Sequence, residues 1–131
     1  MEKMSPNTNS LNWFEIPATD LDRAKKFYEA IFDVQMYSMN VGGQDMAIFP
    51  SSPEPNGKVS GALVQSEMHI PSENGTVIYL NANPSIQLVI DRIEPNGGRI
   101  IVPKMLIDEQ IGYMCHFLDT EGNRVGVHAG A

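Results

Sequence analysis

The sequence predicts an α+β protein made of two tandem strand–helix–strand–strand–strand modules, a curled mixed sheet around a central cavity with the helices outside. Two observations carry this expectation: the stretch from residue 11 to 32, and the return of the same element order later in the chain at a shift of 64 or 65 residues. In the first stretch Phe14 and Ile16 alternate with Trp13 and Glu15. A strand there puts two apolar side chains on one face and a Trp/Glu pair on the other. Pro17 closes it. Thr19 stands three residues before Asp22, the spacing for reciprocal capping of a helix N-terminus. Leu21, Ala24, Phe27, Tyr28 and Ile31 then share one helical face, opposite Asp22, Arg23, Lys25, Lys26 and Glu29. That apolar stripe suits Phe14 and Ile16, which leaves Trp13 and Glu15 on the far side of the sheet, where a ligand cavity fits.

The remaining elements follow in order. The helix should stop near Phe32–Asp33, with strands over 34–39, 46–49 and 59–64, a Gly42-Gly43 hairpin and a loop at 50–57 that disfavours helix and strand alike. A polar segment at 65–75 divides the chain. A strand at 76–80 opens the second half, and Asn83-Pro84 reads as a helix start. Ile86, Val89, Ile90 and Ile93 keep helical spacing until Asn96-Gly97-Gly98 stops it. Strands at 99–102, 111–118 and 123–128 complete the set, the last two joined by the turn 119–122. Ala18 falls on Ala82, Asp33-Val34 on Gly97-Gly98, Gly57 on Gly122 and Gly61 on Gly126. Agreement among independent signals supports a duplicated half-domain. The expected organisation is a loose tail at 1–10 and one domain at 11–131, with module 1 at about 11–66 and module 2 at about 76–128. One half alone would expose the concave face of its sheet; two can enclose a cavity.

Composition narrows the function classes. A hydrophobic content of 42% with 19% charged residues suits a packed interior. The net charge of −7, without a Lys/Arg run, argues against nucleic acid or anionic membrane as the partner. The single Cys115 excludes an internal disulfide, and its apolar run Tyr-Met-Cys-His-Phe-Leu favours a buried, inert thiol over a nucleophile. The first nine residues are polar and lack a signal core, and no apolar run spans a membrane, so a cytoplasmic location is expected. No glycine-rich nucleotide loop follows a strand.

Alternation in the last strand turns Val125 and Val127 toward the helices and Arg124, Gly126 and His128 toward the face of Trp13 and Glu15. The candidate substrate-binding set is therefore Trp13, Glu15, His116, Arg124 and His128, with no catalytic residue assigned. Trp13 is either a stacking platform or a filler of the cavity. Glu15 pairs with Arg124 or accepts a hydrogen bond at the cavity wall; alternatively Glu15, His128 and His116 form a displaced two-histidine, one-carboxylate metal set. His116, among apolar neighbours, reads first as a satisfied core histidine and second as a base. His69, in the linker, receives no role. Met36, Met39, Met46, Met105 and Met114 suit either core packing or an adaptable pocket.

The opening Trp-Phe-Glu-Ile-Pro-Ala-Thr-Asp-Leu-Asp-Arg-Ala-Lys-Lys-Phe-Tyr-Glu-Ala-Ile-Phe, the Asn-Gly-Gly at 96–98 and Phe-Leu-Asp-Thr-Glu-Gly-Asn-Arg-Val-Gly-Val-His near the end resemble the vicinal oxygen chelate superfamily of glyoxalase I, bleomycin-resistance proteins and extradiol dioxygenases. The resemblance covers residues 11–128. It implies paired βαβββ modules curling around a ligand site, commonly in a homodimer. Members that do chemistry hold a divalent metal through His, Gln or Glu on four strands. Carried over, those places fall on Trp13, near Gly61, near Val77 or Ile78, and on Gly126, none of which ligates; Gln65 is a remote substitute. The expectation is a small-molecule-binding protein without cofactor, a divalent metal entering only if the displaced set holds. The alternative is a metal-dependent lyase or isomerase of the glyoxalase I type, in which the ion polarises a carbonyl or enediolate oxygen. A third reading is an interaction domain whose cavity Trp13 and the methionines fill.

Overall fold

A computed structural model describes residues 2–54 and 56–131; Met1 of the expected tail and Pro55 of the expected loop lie outside the described residues. Module 1 comprises β1 (Trp13–Pro17), α1 (Leu21–Phe32), β2 (Tyr37–Val41), β3 (Gln44–Ile48) and β4 (Ser60–Gln65). Module 2 comprises β5 (Tyr79–Asn81), α2 (Ile86–Ile93), β6 (Arg99–Asp108), β7 (Gly112–Leu118) and β8 (Arg124–Ala129), with a short 3-10 turn at Glu94–Asn96. The sheets run β1-β4-β3-β2 and β5-β8-β7-β6, the first strand of each module lying parallel to its last. The expected α+β architecture of tandem βαβββ modules holds, as two four-stranded sheets without a closed barrel among the described residues.

One interior serves both modules. Ala24, Phe27, Tyr28 and Ile31 of α1 and Ile86, Val89 and Ile93 of α2 share a core with Ile16, Leu63, Leu80, Phe117, Val125 and Val127. The two helices pack on each other, and the Phe27 ring lies 5.8 Å from that of Phe117. Each such aromatic or branched side chain contributes about 1.5–3 kcal/mol by leaving water, so the seam between modules is a core and not a hinge. Cys115 lies fully buried in it, and burial pushes its thiol up to about 11, as an inert thiol requires.

The helix N-termini differ from expectation. The cap of α1 is Asp20, whose carboxylate accepts from the Arg23 amide at 3.1 Å. Thr19 does not cap. Its amide and that of Asp20 donate instead to Oε1 of Glu121, at 2.9 and 2.8 Å, from the β7–β8 turn of the other module. Arg23 closes on the same carboxylate through Nε at 2.8 Å and Nη2 at 3.0 Å. Free amides at a helix start attract an anion whatever its sequence distance, and a carboxylate 102 residues from Thr19 outcompetes the local hydroxyl. Beneath it Asp119 is buried: it accepts from the Tyr28 hydroxyl at 2.7 Å, from the amides of Glu121 and Asn123, and from Asn123 Nδ2. Asn123 Nδ2 reaches on to the Pro17 carbonyl at 2.7 Å. Asn83-Pro84, in turn, does not begin α2. That peptide is cis, Ser85 is the N-cap, and the Asn83 side chain is spent on the Gly130 amide.

Strand limits move for local reasons. The expected strand at 34–39 starts only at Tyr37, because the Val34 amide closes α1 on the Glu29 carbonyl and the Met36 amide takes the Glu29 carboxylate. β6 runs through Pro103 to Asp108, which an edge strand allows, since proline lacks only the outward donor. The repeat also resolves into one register. Ser60–Gln65 corresponds to Arg124–Ala129, a shift of 64 residues, so the pairs Glu15↔Ala62 and Tyr79↔Gly126 are equivalent. The expected match of Gly61 with Gly126 is therefore corrected: the two face opposite sides. Each is a glycine because an aromatic ring from the neighbouring parallel strand lies on it. A Cβ would meet the Phe14 ring at 2.5 Å on Gly61 and the Tyr79 ring at 2.6 Å on Gly126.

Candidate functional site

The sheet faces turned away from the helices carry the polar groups that the core does not use. On module 1, Trp13 is 43% exposed beside Glu15. Its indole N–H donates to Glu15 Oε2 at 3.3 Å, while Glu15 Oε1 meets His69 Nε2 at 2.9 Å. Ser66 Oγ lies 2.7 Å from the other ring nitrogen of His69 and accepts from the Met68 amide. The hydrogen bond from His69 holds the Glu15 carboxyl below its usual range, against a smaller opposing effect of burial. The expected Glu15–Arg124 pair is thus corrected. The partner is His69, which sequence reasoning left without a role, and a contact across 54 positions leaves no local spacing to reveal it.

On module 2, Arg124 donates through Nη1 to His116 Nδ1 at 3.2 Å and through Nε to the Glu73 carbonyl at 3.3 Å. His116 Nε2 lies 2.7 Å from the Tyr79 hydroxyl. Burial, and then the Arg124 charge, lower the His116 pKa, so the imidazole is neutral at neutral pH. His128 Nε2 donates to the Ile111 carbonyl. A hollow of about 350 Å³ on this face is lined by Tyr79, Leu80, Asn81, Asn83, Ile107 and His128. A larger groove of about 970 Å³ runs along the seam between modules, past Phe14, Phe49, Ile78, Leu88 and Arg92.

The five predicted site residues therefore fall into two groups. Trp13 and Glu15 stand on one sheet; His116, Arg124 and His128 stand on the other, joined by Tyr79, which sequence reasoning did not single out. Among the described residues no hydrogen bond links the groups. The displaced metal set is corrected too: Glu15, His116 and His128 each have a different partner, and no three His, Cys, Asp or Glu among the described residues are grouped to hold an ion. The four strand positions where the resemblance implies metal ligands do not fit a metal either. Pairing puts Ala62, not Gly61, on the helix-free face of β4, so the corners hold an indole, a methyl, the Val77 side chain and a glycine under a tyrosine ring. None offers a donor atom. Of the methionines, Met36 belongs to the main core, Met46 to a small cluster with Ile48, Ala62 and Val64 on the helix-free face, and Met39 and Met105 are exposed.

Comparison with known proteins agrees with this fold. Residues 10–127 match the family described as Glyoxalase/Bleomycin resistance protein/Dioxygenase superfamily. A glyoxylase-like domain-containing protein of Didymella fabae is 26% identical over 113 residues, 86% of this chain and 88% of the relative. Among solved structures, a glyoxalase/bleomycin resistance protein from Albidiferax ferrireducens aligns with a TM-score of 0.66 at 16% identity, covering 91% of this chain and 97% of the other. The fosfomycin resistance protein FosX of Mesorhizobium loti aligns with a TM-score of 0.56 at 17% identity, covering all of this chain and 94% of the other. At such identities the structures share the fold alone. The module order, the parallel closing strands and a family match across nearly the whole length lead to one conclusion: this chain belongs to the glyoxalase/bleomycin resistance protein/dioxygenase superfamily.

Proposed function

We propose that this chain is a metal-independent small-molecule-binding protein of the bleomycin-resistance kind, taking its ligand on the helix-free faces and working as a homodimer. The observation that carries the reading is the replacement of every expected metal-ligating corner by a side chain without a donor, two of them aromatic-capped or aromatic. A ligand held there meets an indole, a tyrosine and methionines, surfaces that bind apolar and aromatic bodies by contact area. Pairing with a second copy is supported by apolar side chains that these faces leave in water away from the proposed ligand contacts: Met39, Val41 and Met105. A patch of that kind is ordinarily covered.

Protein purified without chelators should carry no stoichiometric Zn, Ni, Mn or Fe, and small aromatic and dicarbonyl compounds should raise its melting temperature. Trp13→Ala should weaken that response. Stoichiometric metal overturns the reading in favour of a lyase or isomerase, and hits that bind Trp13→Ala unchanged remove Trp13 from the ligand surface. Sedimentation equilibrium should give twice the chain mass; a monomer at all concentrations sinks the homodimer.

A further inference from the structure

Resting on the small-molecule reading, we propose that Tyr79 is the group that recognises the ligand's oxygen: its hydroxyl proton is kept free to donate to a ligand carbonyl, a neutral counterpart of the metal corner that Gly126 cannot supply. A guanidinium has only donors, so the 3.2 Å contact from Arg124 Nη1 requires a lone pair on His116 Nδ1. A neutral imidazole with a bare Nδ1 carries its proton on Nε2. That proton points at the Tyr79 oxygen, 2.7 Å away, so the tyrosine accepts in this bond and does not donate. Its own hydrogen has no acceptor among the described residues, and the side chain is half exposed.

The ring is held in place at the edge of a hollow. It lies over Gly126, where a Cβ would come within 2.6 Å of it, and its centroid is 5.3 Å from that of His116. It forms one wall of the 350 Å³ hollow with Asn81, Ile107 and His128. That volume suits a ligand at the small end of the usual range. The Arg124 charge, relayed through His116, draws electron density from the phenolic oxygen, and a donor polarised in this way is stronger toward an incoming acceptor. The ligand class that fits is a small conjugated or aromatic carbonyl compound: its flat body lies against Ile107 and the Tyr79 ring, and its oxygen takes the proton.

Two measurements test this. Nitrogen-15 spectra of the ligand-free protein at neutral pH should show His116 with a bare Nδ1 and a protonated Nε2. Arg124→Met should release that preference. The probe for binding is dimethylaminobenzylideneacetone, a conjugated ketone whose absorption moves to longer wavelength when its oxygen accepts a hydrogen bond. The wild-type protein should bind it with that colour change, and Tyr79→Phe, which keeps the ring and the fold, should bind about tenfold more weakly without it. A protonated His116 Nδ1, or an undiminished colour change with Tyr79→Phe, overturns the assignment. Probe binding by the wild type with no colour change also overturns it, while leaving the small-molecule reading intact. Failure to bind the probe or any compound of the broader screen overturns both.

Discussion

Asp119→Ala is expected to destabilise the fold by about 3–5 kcal/mol, measured by urea unfolding. The side chain is buried and serves four donors: the Tyr28 hydroxyl, the amides of Glu121 and Asn123, and the Asn123 carboxamide. Alanine returns no acceptor to any of them, and each stranded buried donor costs its desolvation. Tyr28→Phe removes one of the four bonds and leaves the carboxylate otherwise satisfied, so about 1 kcal/mol is expected. Burial, then the negative charge of Asp119, push the Tyr28 phenol well above its ordinary value, which keeps it a neutral donor. Equal losses from the two variants would mean that the network does not act as described.

The second large effect belongs to Glu121. Glu121→Ala frees the amides of Thr19 and Asp20 and releases Arg23, and a loss of about 2–3 kcal/mol is expected from the stranded amides and the lost charge. Glu121 also predicts a pH dependence. Burial pushes its carboxyl up, but Arg23, the Asp20 amide and the Thr120 hydroxyl together outweigh burial and hold it below the ordinary 4.5. A carboxyl depressed in the folded state contributes stability above its unfolded value, and that contribution is lost as pH falls through the folded value. Unfolding free energy should therefore decline below about pH 4.5, and Glu121→Gln should flatten part of the decline. A variant with an acid limb identical to the wild type's would assign that limb to other carboxylates.

The sequence carried the architecture because the architecture is local and doubled. Helical periodicity at Leu21–Ile31, alternation around Trp13–Ile16 and turn glycines each report on a few adjacent residues, and the second module repeats them. What it did not carry are contacts made across the fold. The cap of α1 is Asp20, with Glu121 holding the amides of Thr19 and Asp20 in place of a Thr19 cap, and the partner of Glu15 proved to be His69. Tyr79 went unremarked because its significance rests on Gly126 beneath it and His116 beside it, neither near it in sequence. The Gly61–Gly126 match failed for a simpler reason: a one-residue slip in a strand turns a side chain to the other face.

The brace at the start of α1 has no mirror image. Among the described residues, the loop that corresponds to the β7–β8 turn, between β3 and β4, places no carboxylate on α2, and Ser85 makes no side-chain cap bond there. The leading half, among the described residues, depends on the trailing half for the start of its helix, and not the reverse. Two leading halves assembled together would leave both sets of amides bare, so the pieces of this chain are no longer exchangeable.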